Sequence, residues 1–254
     1  MEMVSIPAGT LTWKNWENGI EFEVIITLSA FKMGKYQVTQ ELYEAVMGVN
    51  PSGFNSNPAT GETQGKRPVE MVTWYDAVEF CNALSILEGL TPYYIIDKDN
   101  PDPNNISEHE TLKWLVTTNE PANGYRLPTE AQWEYACRAG STTNWHFGDT
   151  ENELVNYAWY NANSGSRTHQ VGLKQPNAFG LYDMYGNVWE WCWDWYGNLP
   201  TSSQTDYTGA VSGSVRVVRG VSWYDSAEYT RSSYRLNFHP YARDFSMGFR
   251  VVRP

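Results

Sequence analysis

RVVRGVSWYDSAEYTRSSYRLNFHPYARDFSMGFRVVRP, residues 216–254, contains two kinds of position. A regular frame runs through it: RVVRG, then Ser222-Trp223, then Arg231, Arg235, Pro240 and Arg243, and finally GFRVVR. Between the frame residues stand Tyr, Asp, Ser, Phe, His, Asn and Ala, in no order that helix or strand burial would impose. The frame is expected to hold a backbone, and the filler to meet a partner. The segment carries seven arginines against three acids, Asp225, Glu228 and Asp244. Those arginines sit on the frame rather than in a run. They are therefore expected to pair with buried acids or backbone carbonyls, not to form a basic patch.

Outward from this segment, the 254-residue chain is acid-rich, with a net charge of −11, which makes nucleic acid an unfavourable partner. Twelve Trp and 17 Tyr supply ample material for a core and argue against disorder. Twenty Gly and 13 Pro spread along the chain imply short elements and much irregular backbone. Cys81, Cys137 and Cys192 are odd in number, lack a CxxC spacing and lie in apolar stretches, so they read as small buried hydrophobes. No apolar run reaches transmembrane length, and no signal peptide is recognisable.

Residues 20–28, IEFEVIITL, read as a strand, and 31–38 as a short extended piece. Thr39 is the expected N-cap of a helix through Met47 that stops at Gly48. After Thr73, the residues Trp74, Ala77, Val78, Cys81 and Leu84 line one helical face, ending at Gly89. Thr129 and Gln132 form a Thr-x-x-Gln capping box for a third helix that stops at Gly140. The acidic stretch 97–105 reads as a solvated loop. As a calcium loop of the EF-hand type it would use Asp97, Asp99 and Glu108, but it lacks the turn glycine and carries two prolines. With no linker and no repeat, residues 1–254 are expected to form one α+β domain, helical early and loop-rich late.

Catalytic signatures are sparse. There is no GxGxxG, P-loop, HExxH or GxSxG, and the four histidines are scattered. Ser222, His239 and Asp244 supply the residue types of a triad, but geometry rather than composition defines one. In Asp183-Met-Tyr-Gly186-Asn-Val188-Trp-Glu190, two carboxylates flank a Gly-Asn turn whose carbonyls could join them around calcium. Spacing alone favours a tight turn whose acids cap backbone N–H groups.

GKYQVTQELYEAVMG, RPVEMVTWYDAVEFCNALS, GYRLPTEAQWEYACRAG, NAFGLYDMYGNVWEWCWDW, RVVRGVSW and GFRVVR together resemble, in order, the formylglycine-generating-enzyme (sulfatase-modifying-factor) family. The resemblance covers nearly the whole chain. It implies a variant C-type lectin-like fold: a small twisted antiparallel sheet, few helices and extensive ordered loops. The family's enzymes hold copper on two cysteines just after the Ser-Trp motif. The matching positions here are Asp225 and Thr230, and no cysteine follows Cys192. Thiolate is the ligand that chemistry needs, so neither copper nor a catalytic residue is expected. The resemblance also implies a structural calcium ion, with Asp183 and Glu190 as side-chain ligands and Gly186 and Val188 as carbonyl ligands.

Residues 216–254 also resemble the C-terminal variable region of bacterial diversity-generating-retroelement target proteins. There, a template rich in asparagine codons is copied with changes at adenines, and the result is displayed on a C-type lectin-type fold. The filler comprises Tyr224, Asp225, Ser226, Tyr229, Tyr234, Leu236, Asn237, Phe238, His239, Tyr241, Ala242, Asp244, Phe245 and Ser246, and it contains only residues reachable in that way. Glu228 is not reachable and falls to the frame; Val221 replaces the glycine usual in RGGSW and reads as one more variable position. The resemblance implies a non-enzymatic binding protein for a protein or glycan ligand. It also implies export and a lipid anchor at the cell surface, although the residues alone leave a cytoplasmic location open. Two other readings compete: an enzyme of the same fold with different chemistry, and a structural subunit whose aromatic tail is an obligate interface.

Overall fold

The computed structural model of the chain describes residues 1–17 and 20–254. Strands Met3–Ile6 and Val252–Arg253 flank Phe31–Gly34 in one antiparallel sheet, so residues from both ends of the sequence share it. The hairpin Gly9–Glu17/Ile20–Leu28 forms a second sheet with Gln204–Thr205. The central four-stranded sheet runs Leu236–Phe238, Arg216–Arg219, Trp189–Trp195, Met247–Gly248. It departs from the antiparallel expectation at one edge, where Met247–Gly248 pairs parallel to Trp189–Trp195.

Three longer helices, α1 (Gln40–Met47), α2 (Trp74–Leu87) and α3 (Glu130–Arg138), brace these sheets, and a single turn of helix covers Leu154–Tyr157. Each of the three longer helices begins where its cap was expected. Thr39 accepts from Leu42 N, and Thr73–Asp76 and Thr129–Gln132 both close as capping boxes. Gly48 stops α1 in the left-handed conformation, and Ala139 followed by Gly140 stops α3 in the same region.

Only the second half of the acidic stretch, residues 102–105, is irregular. Asp97 to Pro101 complete the strand Tyr94–Pro101, which pairs with Trp114–Thr118 through a bulge. This two-stranded arm is anchored on the core by Tyr94, Ile96, Trp114 and Val116, but its 98–101 end is exposed and so needs no apolar alternation. Asp97 binds Asp99 N, Asn100 N and Asn100 Nδ2 with its own carboxylate, as a turn acid does rather than a metal ligand.

The main core gathers the buried face of α2 with Trp189, Trp191, Val218, Met247 and Phe249. A second cluster joins α3 to Leu181, Tyr185, Cys192 and Val217 on the opposite face of the central sheet. The three cysteines are buried and unpaired. No helix among the described residues is long and apolar enough to cross a membrane.

Candidate ligand-binding face

Most frame residues of 216–254 are driven inward and the filler residues outward; the exceptions in the frame are Arg231 and Arg243, which are exposed, and Trp223, Arg235 and Arg253, which are half-buried. Arg216 to Ser222, Thr230, Ser232, Pro240 and Met247 to Val252 are all buried. Among the filler, Tyr224, Tyr229, Tyr241, Asp244 and Phe245 are exposed. Asp225, Ser226, Tyr234, Leu236, Asn237, Phe238, His239, Ala242 and Ser246 are half-buried. Glu228, expected with the frame, is exposed. Val221, expected with the variable positions, is instead core, with a backbone φ of 67°. A β-branched residue there carries strain of about 1–2 kcal/mol that glycine would not.

The frame arginines explain how an irregular tail is held. The Arg219 guanidinium donates to the carbonyls of Ser232, Ser233 and Tyr234 and to Glu134 Oε2 at 2.6 Å, pinning the tail to α3. Arg235 grips both oxygens of Glu130, also on α3, at 2.8 and 2.7 Å. Arg216 stacks over Trp195 and Trp74, 3.5 and 3.9 Å from the ring centroids. Arg243 pairs with Asp76 and donates to Met71 O, tying the loop after Pro240 to the start of α2. Arg216, Arg219, Arg235, Arg243 and Arg250 thus take the structural roles expected for arginines placed on a frame, whereas Arg231 is exposed.

Above this clamp the filler falls into connected groups. Tyr234 packs against Tyr229 (5.0 Å between centroids) and Trp189 (6.1 Å). Leu236 and Phe238 lean on the main core opposite Val218 and Arg216, while Asn237 alternates to the other side. His239 stacks on Tyr241 at 5.3 Å. Trp223 touches Tyr224 and Phe54, and Phe54 in turn meets Phe245. The triad residue types are not assembled: Ser222 Oγ donates to Asp225, while His239 Nδ1 lies against Ser214 O.

A hollow of about 380 Å³ opens among Trp223, Tyr224, Asp225, Ser226 and Tyr229. Its far wall is Asn161, Ser164 and Ser166, which sequence reasoning missed. They arrive from a distant loop fixed by two contacts: Ser164 Oγ donates to Trp223 O, and His169 Nε2 donates to Ser164 O at 2.7 Å. Phe54 was missed for the same reason. Its loop is held by the buried Glu70 carboxylate, which accepts from the N–H groups of Gly53 and Phe54. No local pattern marks these residues, because only tertiary packing brings them to the face.

At the positions matched to copper-binding cysteines, Asp225 Oδ2 accepts from Ser222 and from Trp189 Nε1. Thr230 Oγ1 accepts from Trp145 Nε1 and donates to Ala227 O. Cys81, Cys137 and Cys192 lie elsewhere, and burial pushes each thiol up, away from the thiolate form.

The residues matched to calcium ligands surround a side chain. Gln37 Nε2 lies 3.3 Å from Asp183 O, 3.2 Å from Gly186 O, 3.0 Å from Val188 O and 3.0 Å from Glu190 Oε1. Asp183 was expected to offer its carboxylate to the centre. With φ at 56°, it presents its carbonyl, and its carboxylate instead accepts from Gly172 N at 2.7 Å. Glu190 is held on both oxygens by Arg250, at 2.8 and 2.9 Å, and Oε2 also accepts from Trp133 Nε1. Gly186 has no alternative residue, since a Cβ there would stand 2.1 Å from Trp159 O.

Two buried acids give a pH dependence. Burial pushes Asp194 up to about 8 and Glu70 up to about 7. A carboxyl raised in the folded state contributes stability that is complete below its unfolded pKa and lost as pH rises through the folded one. Burial pushes His146 down to about 4, so its contribution is complete above about 6.5 and opposes the acids only below that pH. Between pH 6.5 and 8.0 the acids therefore act unopposed by it. Stability is expected to fall by about 1–2 kcal/mol across that interval. Calorimetry of Asp194→Asn, which mimics the protonated acid, should show a flatter profile; a wild-type melting temperature that rises over the interval would contradict the assignment.

A lectin-type scaffold of small sheets and ordered loops, carrying an arginine-clamped tail with outward filler, defines the class: a C-type lectin-like fold. The sulfatase-modifying factor enzyme 1-like domain model matches residues 1–254, and the chain belongs to that family. Treponema denticola variable protein 1 is 45% identical and superposes with a TM-score of 0.88, over 99% of this chain and 95% of that one. The chaperone protein LppX of Paenibacillus barcinonensis is 43% identical over 245 residues, 90% of this chain and 81% of that protein. The formylglycine-generating enzyme of Mus musculus is 34% identical over 286 residues, 99% of this chain and 74% of the enzyme.

Proposed function

We propose that this chain is a non-enzymatic binding protein whose ligand, a protein or glycan, docks on the filler residues of 216–254. One observation carries the reading: every filler position keeps some exposure, while most of the frame between them, Arg216 to Ser222, Pro240 and Gly248 to Val252, is buried. Tyr and Phe offer large rigid contact area at low entropic cost, and Ser, Asn and Asp offer adaptable hydrogen bonds. The likeness to a variable protein supports diversification at these positions. The likeness to a protein named a chaperone favours a polypeptide over a glycan as ligand. Against the enzyme reading, the oxygens of Asp225 and Thr230 are engaged in hydrogen bonds where the family's copper thiolates would stand. Location at the bacterial surface, through a lipid anchor on a longer precursor, belongs to the same proposal.

Diversification leaves a trace in DNA. Sequencing around the gene is expected to find a near-copy of the segment coding 216–253, differing at adenines, beside a reverse transcriptase gene. A genome with neither would remove diversification from the account.

A further inference from the structure

We propose that the Gln37 carboxamide is the built-in occupant of the oxygen cage formed by Asp183, Gly186, Val188 and Glu190, so that the protein folds and presents its face without a divalent cation. The inference is independent of what the face binds. Four oxygens converge on Gln37 Nε2, all at 3.0–3.3 Å, which is hydrogen-bond length. Calcium would require six to eight oxygens at about 2.3–2.6 Å. The nitrogen assignment follows from the partners. Three are carbonyls and one is a carboxylate, so all four are acceptors; the two amide N–H groups can serve two of them, while Arg250 also donates to Glu190 Oε1 and Asp183 O.

Charge leads to the same conclusion. The single carboxylate reaching the centre, Glu190, is wholly buried and neutralised by the equally buried Arg250 guanidinium. Arg250 also covers the carbonyls of Gly34 and Tyr182 around the rim. A divalent ion would displace the Gln37 amide and sit against a fixed positive charge, with one oxygen of the Asp183 carboxylate already committed to Gly172 N. The amide and guanidinium together supply the donors that a metal would otherwise replace.

The decisive measurement uses the whole wild-type chain. After dialysis in metal-free buffer, elemental analysis is expected to find calcium far below one ion per chain. The melting temperature should be the same in EGTA and in millimolar calcium chloride. Stoichiometric retained calcium, or a melting temperature that drops in EGTA and returns with calcium chloride, would overturn the proposal. Gln37→Ala removes the central donor and is expected to melt well below wild type in EGTA; melting together with wild type would also overturn it. If that variant does not fold, the wild-type calcium comparison still decides.

Discussion

Chemical denaturation of Arg219→Ala is expected to show a loss of about 3–5 kcal/mol, the range for deleting one partner of a buried ion pair. In a chain of this length that corresponds to a melting temperature lower by roughly 10–15 °C. The size follows from what Arg219 holds. Its side chain is wholly buried, its Nη2 lies 2.6 Å from Glu134, and it also serves three consecutive tail carbonyls. Truncation removes the donor from those carbonyls, and a buried orphan such as the Ser232 carbonyl costs about 1–3 kcal/mol. Glu134 keeps Arg138 and Trp13 as partners, so the penalty concentrates on the tail. Arg219→Lys should recover little, because a single ammonium cannot reproduce the planar fork. A loss below about 1 kcal/mol would place Arg219 among ordinary surface substitutions and remove the clamp from the account.

The opposite outcome is expected for the filler. With Tyr224, Tyr229, Tyr241 and Phe245 all replaced by alanine, affinity for a ligand recovered from glycan arrays or displayed surface proteins should fall about 1,000-fold or more. Aromatic anchors at interface centres are commonly worth about 2 kcal/mol each. The fold should persist, because these side chains are 71%, 39%, 40% and 50% exposed and little of the core depends on them. Surface changes of this kind usually stay within about 0.5 kcal/mol apiece. Unchanged affinity in a folded variant would sink the binding reading.

Local signals in the chain were legible where the physics is local. Thr39, Thr73 and Thr129 cap the helices as their spacing implies, because a cap needs only three or four neighbouring residues. The contrast of frame and filler was legible in part: Arg216, Arg219 and Arg250 are buried and the filler keeps exposure, but Glu228, Arg231 and Arg243, read as frame, lie on the surface. The strand through Asp97 and Asp99 was hidden: the arm is anchored on the core by Tyr94, Ile96, Trp114 and Val116, but its 98–101 end is exposed and leaves no apolar alternation to read. Val221 was misassigned because the sign of φ is invisible in a side-chain pattern. The Gln37 contact and the wall of Asn161, Ser164 and Ser166 join residues far apart in sequence, which no periodicity records.

The central claim is that residues 216–254 divide into a structural frame and a replaceable surface. It is tested most directly by a library saturating every position of the segment and sorted for resistance to proteolysis. The account predicts broad tolerance at the fourteen filler positions and sharp intolerance at Arg216, Arg219, Arg250, Thr230, Ser232 and Gly248. Equal intolerance at Tyr224, Tyr229, Tyr241 and Phe245 would contradict it, because those residues would then be part of the fold rather than what the fold displays.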